Sequence, residues 1–482
     1  MKWRPGSRIL FREYADPGRP STEASGPAHD PETPSFSVVA KLDTPFAERL
    51  TGPGSTQGMS RRRFLGHGAV IAGALLVPGL ARSQQGAASP AVPPAGTGPR
   101  GVTIPEAPVL PPAPTAASYQ ARMVATRKRL EAAGLDAAII PPGPDMRYLT
   151  GLDLQRRERI VAFVLPREGK TFLLLPDVEE GASSPAVTID RIVRWKDDEA
   201  SDRMLVEQLK DLKLQEGRVA LGSRTYYEEM AGIYDALPKM RFASAERIVG
   251  YLRERKSQEE IAIIRAASII ADRSIAQSWG DVREGMTERD LALVVVERAL
   301  QGAGARIETA PRVQFGPNTA RRHAEPTDRK LVRDDVIVVE LGVRLHGYWG
   351  RTSRTAIFGQ PTGRMKTIQS MILDSRTRSL EMAREGLSAA SLYEKARGAL
   401  GTRGFAKLVP LRLGQGLGVE LEERPWLSPA YHEKLAVGNV VTFEPGLDTP
   451  DEYGIRSGDV LEISAAGGRF LTGLPESLIE IS

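Results

Sequence analysis

From Tyr119 onward the chain settles into alternating helical and strand periods, whereas ahead of that point no period is sustained. Met123, Val124, Leu130 and Ala133 mark one face of a helix that Gly134 ends, and Asp136-Ala137-Ala138-Ile139-Ile140 reads as the strand that follows. Two more apolar runs, 160–165 and 171–175, flank Pro166-Arg167-Glu168-Gly169, a hairpin-like turn. Helices and strands alternating to about Gly250 predict a mixed α/β lobe.

A second lobe opens at Ser257, which caps a helix with Glu260 three residues on, the reciprocal pattern of a capping box. Ile261, Ile264, Ala271 and Ile275 continue its apolar face, and helices near 288–300 and 366–385 follow among strands such as 336–340 and 440–443. Each lobe is longer than ~100 residues, enough to hold its own core. The domain reading is therefore 119–250 and 251–482, an α/β (α+β) chain of two lobes.

Within the second lobe a series of short motifs falls in a fixed order. These are Gly347-Tyr348-Trp349-Gly350-Arg351-Thr352-Ser353-Arg354-Thr355, Gly414-Gln415-Gly416-Leu417-Gly418, Glu422-Glu423-Arg424-Pro425, Phe443-Glu444-Pro445-Gly446 and Gly454-Ile455-Arg456-Ser457-Gly458-Asp459. Upstream stand Arg147-Tyr148-Leu149-Thr150-Gly151, Lys256-Ser257-Gln258-Glu259-Glu260 and Asn318-Thr319-Ala320-Arg321-Arg322-His323. The set resembles the pita-bread hydrolases: aminopeptidase P, prolidase, methionine aminopeptidase and creatinase. The resemblance spans roughly residues 118 to 482 and implies a creatinase-like N-terminal domain before a pita-bread domain with a curved antiparallel sheet. It also implies pairing as a homodimer.

Metallopeptidases of that family hold two divalent ions with two aspartates, a histidine and two glutamates, and the motifs locate each position here. Glu340 stands for the first aspartate. Arg351 stands for the second; a guanidinium keeps its proton and cannot ligate metal. Gln415 replaces the histidine with a neutral amide, Glu444 matches the first glutamate, and Gly458 takes the place of the last. Four carboxylates would set about −4 against two doubly charged ions, whereas Glu340, Glu444 and Arg351 together leave one negative charge. We therefore expect no metal cofactor, and expect Arg351 to pair bidentately with Glu340, Glu444 or both.

Further site candidates come from the same resemblance. His323 matches a family histidine that contacts substrate and shuttles protons; the other reading is a solvated loop histidine beside Arg321 and Arg322. Glu422 replaces a second family histidine and reads as a structural or solvated carboxylate, with Glu423 beside it. Arg456 is a structural ion-pair partner or a substrate anchor. His346 and His432 match no ligand position and have no partner at helical spacing.

The N-terminal region carries a different signal. Ser60-Arg61-Arg62-Arg63-Phe64-Leu65 precedes an apolar stretch over 69–80, which resembles a twin-arginine export signal (59–83) with Gly79-Leu80-Ala81 as cleavage site. The apolar run is too short to cross ~30 Å of hydrocarbon as a permanent helix. Residues 1–58 read as disorder or translated upstream sequence, with Met59 as the expected start, and residues 84–118 as a Pro/Ala/Gly-rich tether. Periplasmic or secreted localisation follows, and the absence of cysteine removes any pairing hazard there.

Charge narrows the partners. The formal +5 is mostly local, because residues 1–81 hold ten Lys/Arg against seven Asp/Glu, leaving 55 against 53 in the rest. No basic face for nucleic acid follows from that balance. The primary expectation is an exported family homologue that binds a peptide or small molecule without two-metal hydrolysis. The alternatives are a metal-independent, creatinase-like hydrolase using His323, and an Xaa-Pro metallo-aminopeptidase with a rearranged site.

Overall fold

A computed structural model describes residues 96–97 and 102–482, apart from 157–158, 180–184, 304–306, 403 and 474–477. The upstream segment, the export signal and the first part of the tether lie outside the described residues. The end of the tether departs from expectation: β1 (Gly96–Thr97) pairs antiparallel with β2 (Thr103–Ile104), and Val102 and Ile104 join the main core. Two apolar side chains in a segment otherwise Pro, Ala and Gly rich are enough to dock it.

The first lobe runs α1 (Ala116–Ala132), β3 (Ala137–Ile140), α2 (Pro144–Thr150), β4 (Ala162–Pro166), β5 (Phe172–Pro176), β6 (Arg191–Trp195), α3 (Ser201–Asp211), β7 (Arg218–Leu221), α4 (Tyr227–Ala236), β8 (Arg241–Ser244) and α5 (Val249–Glu254). Thr115 caps α1 four residues ahead of Tyr119, where the apolar period becomes visible. Met123 and Leu130 are buried in it, but Val124 and Ala133 face solvent, so the buried face is narrower than predicted. The six strands form one mixed sheet in the order β6-β5-β4-β3-β7-β8, with the expected β4–β5 hairpin antiparallel.

The second lobe begins with α6 (Gln258–Ser278), whose capping box is present in both directions between Ser257 and Glu260. Ile261, Ile264, Ala271 and Ile275 are all buried, at ~1.5–3 kcal/mol for each fully buried large aliphatic side chain. Then come α7 (Glu288–Ala303), β9 (Ile307–Phe315), β10 (Val336–Leu345), β11 (Tyr348–Phe358), α8 (Gly363–Met382), α9 (Ala389–Leu400), β12 (Gln415–Gly416), β13 (Glu423–Trp426), β14 (Val440–Phe443), β15 (Gly446–Thr449), β16 (Tyr453–Arg456), β17 (Asp459–Ser464), β18 (Gly467–Phe470) and β19 (Ile479–Ile481). Two sheets, β19-β11-β10-β9 and β13-β12-β14-β17-β18, carry the lobe, and a bridge between Ser353 and Gly458 stitches them together.

Two local features explain the β10–β11 hairpin that supplies the site. His346 and Gly347 form its two-residue loop, both at positive φ (48° and 86°), which matches the right-handed twist of the flanking strands. Gly350 lets α6 lie close across β11: a Cβ there would stand 2.2 Å from the backbone nitrogen of Ser268. The aliphatic core is continuous from α1 through α6 to β10 and β11, so the lobes share packing as well as sequence.

Candidate functional site

Strand register decides which side chains meet. On β10, Glu340 lies directly opposite Arg312 of β9 on one side and Ser353 of β11 on the other; Arg351, two residues before Ser353, projects from the same face. Glu444 follows the last residue of β14, Gln415 opens β12, and Gly458 sits just before β17. Side-chain contacts bring Glu340, Arg351 and Glu444 together, Gly458 lies beside Ser353 and Glu444, and Gln415 opens the strand β12 that pairs with β14.

Arg351 is at the centre of this group. Its Nη2 lies 2.8 Å from Glu340 Oε1 and 3.2 Å from Glu444 Oε1, with the guanidinium side chain only 5% exposed. The bidentate fork expected from the sequence is not what forms; one nitrogen bridges both carboxylates. Arg312 Nη1 donates a second bond to Glu340 Oε1 at 3.0 Å. Burial alone would raise the Glu340 carboxyl, but Arg351 and then Arg312 outweigh it and hold it below the usual glutamate range. Burial would likewise weaken the Arg351 cation, and Glu340 and Glu444 reverse that, leaving it more firmly charged than a free arginine.

Around this centre the other candidates separate. Gln415 is buried, its backbone N–H donating to Thr442 Oγ1 at 3.2 Å. Glu422 bridges outward, with Oε1 at 3.9 Å from Arg351 Nη1 and Oε2 at 3.5 Å from Arg412 Nη1. Arg456 is buried and donates to Thr319 O and Gln314 Oε1, with Asp448 3.6 Å away. Burial, with Arg322 adding repulsion, brings its guanidinium down to about 10. Its contacts fit the structural role. His323 is exposed on the loop after Arg322, and no hydrogen bond or ion pair ties it to Glu340, Arg351 or Glu444.

Glu423 corrects an expectation. Placed with the site by its motif, it instead gives one oxygen to Lys256 Nζ at 2.7 Å and the other to Arg253 Nη2 at 2.6 Å. Arg253 also holds Asp145 of the first lobe and Glu420, so Glu423 belongs to a buried network across the lobe junction. Burial pulls its carboxyl upward, yet Lys256 and Arg253 leave it below the usual range.

Sequence reading gave no site role to Arg312, Arg322, Asp448 or Ser353, although Arg322 and Ser353 stand inside its motifs. Arg312 and Ser353 enter through strand pairing, which joins positions 28 and 13 residues from Glu340 by the numbering of the aligned strands. Arg322 pairs with Asp448, closing the side of the site near Arg456. At Gly458 a Cβ would stand 2.5 Å from Ser353 Oγ and 3.3 Å from Glu444 Cγ, so any side chain there begins against Ser353. Among the described residues, no group of three or more His, Asp or Glu side chains is disposed to hold a metal ion. Two surface cavities of ≈ 410 and ≈ 570 Å³ lie elsewhere, one on the first lobe near Asp202 and Tyr226 and one near Arg122 and Tyr251.

With that geometry in view, the relatives are informative. Residues 122–255 match the creatinase/prolidase N-terminal domain and residues 262–465 match metallopeptidase family M24. The chain thus joins a creatinase-type domain to an M24 pita-bread domain, in the arrangement of a prolidase. It is 28% identical to a putative dipeptidase of Bacillus subtilis over 73% of this chain and 97% of the relative. Among solved structures, it is similar to a prolidase from Thermococcus sibiricus (TM-score 0.71, 26% identity, 75% of this chain and 99% of that one). A dipeptidase from Pyrococcus horikoshii gives a TM-score of 0.70 at 29% identity, covering 75% of this chain and 100% of the other.

Proposed function

We propose that this protein is an exported prolidase-like homologue that binds a short peptide or small ligand at the Glu340–Arg351–Glu444 site and does not work through a two-metal centre. One observation carries the reading: the Arg351 guanidinium, 5% exposed, has a nitrogen within 3.2 Å of both retained carboxylates. A doubly charged ion ~4 Å from that cation would meet a repulsion of about 8 kcal/mol at the effective dielectric of protein sites. Gln415 contributes an amide in place of imidazole, and Gly458 offers no side-chain donor, with Ser353 Oγ 2.5 Å from where its Cβ would stand. The donor set does not fit two divalent ions, and no step is routed through them. The twin-arginine pattern at 61–65 supports export of the folded chain.

Growth with added manganese, cobalt and zinc, followed by elemental analysis of the purified protein, tests this directly. The expected result is far less than one metal per chain and no Xaa-Pro peptide turnover with or without chelator. Two metals per chain with chelator-sensitive turnover would overturn it.

That outcome would favour a second reading, an Xaa-Pro dipeptidase with a rearranged site, which the likeness to prolidases and dipeptidases supports. The creatinase-like reading has less behind it, because His323 stands exposed and unlinked to the buried carboxylates.

A further inference from the structure

Arg351 is only partly used. Nη2 serves Glu340 and Glu444, but Nη1 and Nε are buried and have no hydrogen-bond partner. Buried guanidinium N–H groups left unpaired are costly, so such atoms point to an acceptor that completes them. The balance of charge has the same sign. Arg312, Arg322, Arg351 and Arg456 face Glu340, Glu444 and Asp448, four cations against three carboxylates, and Arg412 and Glu422 at the rim cancel each other. Arg322 Nη2 is also buried without a partner.

We propose that the site takes the carboxylate of a peptide C-terminus or small organic acid, bound by the free edge of Arg351, with Glu422 as a displaceable internal stand-in. Glu422 already presents one carboxylate oxygen to Nη1, at 3.9 Å, too long for a hydrogen bond but aimed at the unpaired donor. Its other oxygen leans on Arg412, and at 37% exposure it is the one acidic group of the set with ready freedom to move. An incoming carboxylate replaces it at Nη1 while Glu422 swings wholly to Arg412, so no buried charge is stranded during exchange. A carboxylate fits better than a neutral ligand because it cancels the excess positive charge and accepts from a planar donor. The position is the one where the family resemblance implies a metal-ligating aspartate, so an anion would occupy the neighbourhood of a lost cation.

This inference rests on the metal-free reading above, and the experiment separates the two. Calorimetric titration of the mature protein in chelator would use glycyl-proline, glycyl-proline amide and succinate. Glycyl-proline or succinate is expected to bind, with the amide about tenfold or more weaker than the free acid, the size of a lost charge-assisted hydrogen bond. Succinate binding more tightly than the dipeptide assigns the site to a small organic acid, and the reverse order assigns it to a peptide C-terminus. Glu422→Gln should tighten binding of the free acid by about threefold or more, because the internal competitor loses its charge. Arg351→Lys keeps a cation between Glu340 and Glu444 yet lacks the second donor edge, so it should fold and lose the preference for acid over amide. Equal binding of acid and amide, unchanged affinity in Glu422→Gln, or no binding of any probe at roughly millimolar concentration would overturn the proposal while leaving the metal-free reading intact. Binding that appears only when manganese replaces chelator would overturn the reading beneath it.

Discussion

A single arginine nitrogen holds two acidic groups that would otherwise repel each other, Glu340 buried and Glu444 largely so. Arg351→Leu leaves Glu340 and Glu444 buried without their shared cation and should cost about 3–5 kcal/mol in urea unfolding. Adding Glu340→Gln to it should restore part of that loss, a coupling of about 0.5–3 kcal/mol between neighbours in one network. Acid titration has a defined sign. Glu340 is held below the ordinary glutamate range despite burial, so its stabilisation is full above the unfolded value of ~4.3 and is lost as pH falls through the lower folded value. Glu423 and Asp459 act in the same direction, Asp459 through Arg354 and Arg376, while burial raises Asp145 and Asp272 and makes them act oppositely. The urea midpoint should therefore drop as pH falls below the ordinary carboxylate range, and Glu340→Gln should flatten that drop. At this scale the residues that meet, Glu340, Arg351 and Glu444, could be named from the sequence because the motifs that hold them are local runs. Arg312 could not: it meets Glu340 only across a strand pair whose register the local sequence does not encode.

Whole elements set how tightly these residues are confined. The β11–β17 junction relies on Gly458, whose N–H and carbonyl both pair with Ser353. Gly458→Glu restores a carboxylate to that position but drives its Cβ toward Ser353 Oγ, 2.5 Å away, and should cost about 1–3 kcal/mol as overpacking. Ser353→Ala in the same chain should recover part of it, read from paired unfolding curves. At the lobe junction, Arg253 joins Asp145, Glu420 and Glu423, and is itself only 4% exposed. Arg253→Met should raise hydrogen exchange in residues 420–424 and 145–148 together; faster exchange on one side alone would contradict a shared network. The capping box at Ser257 and the β4–β5 hairpin were visible in the sequence because their determinants are three to five residues apart. The Arg253 network was not, since it joins residues more than a hundred positions apart.

For the molecule as a whole, metal and export are the decisive measurements. If no divalent site exists, saturating manganese or zinc should leave the melting temperature unchanged, whereas binding at a thousand times its dissociation constant would add about 4 kcal/mol. Lysine substitution of Arg61 and Arg62 should retain the precursor inside the cell, read by fractionation and mass spectrometry, and intact export would refute the signal assignment. Sequence alone determined the two-lobed α/β architecture, because periodicity and short motifs are local and survive without coordinates. Only the tertiary structure decided that Arg351 spans both carboxylates through one nitrogen, that Arg312 reinforces Glu340, and that Glu423 serves the lobe junction. Those outcomes depend on strand register and lobe packing, which bring together groups that no spacing along the chain connects.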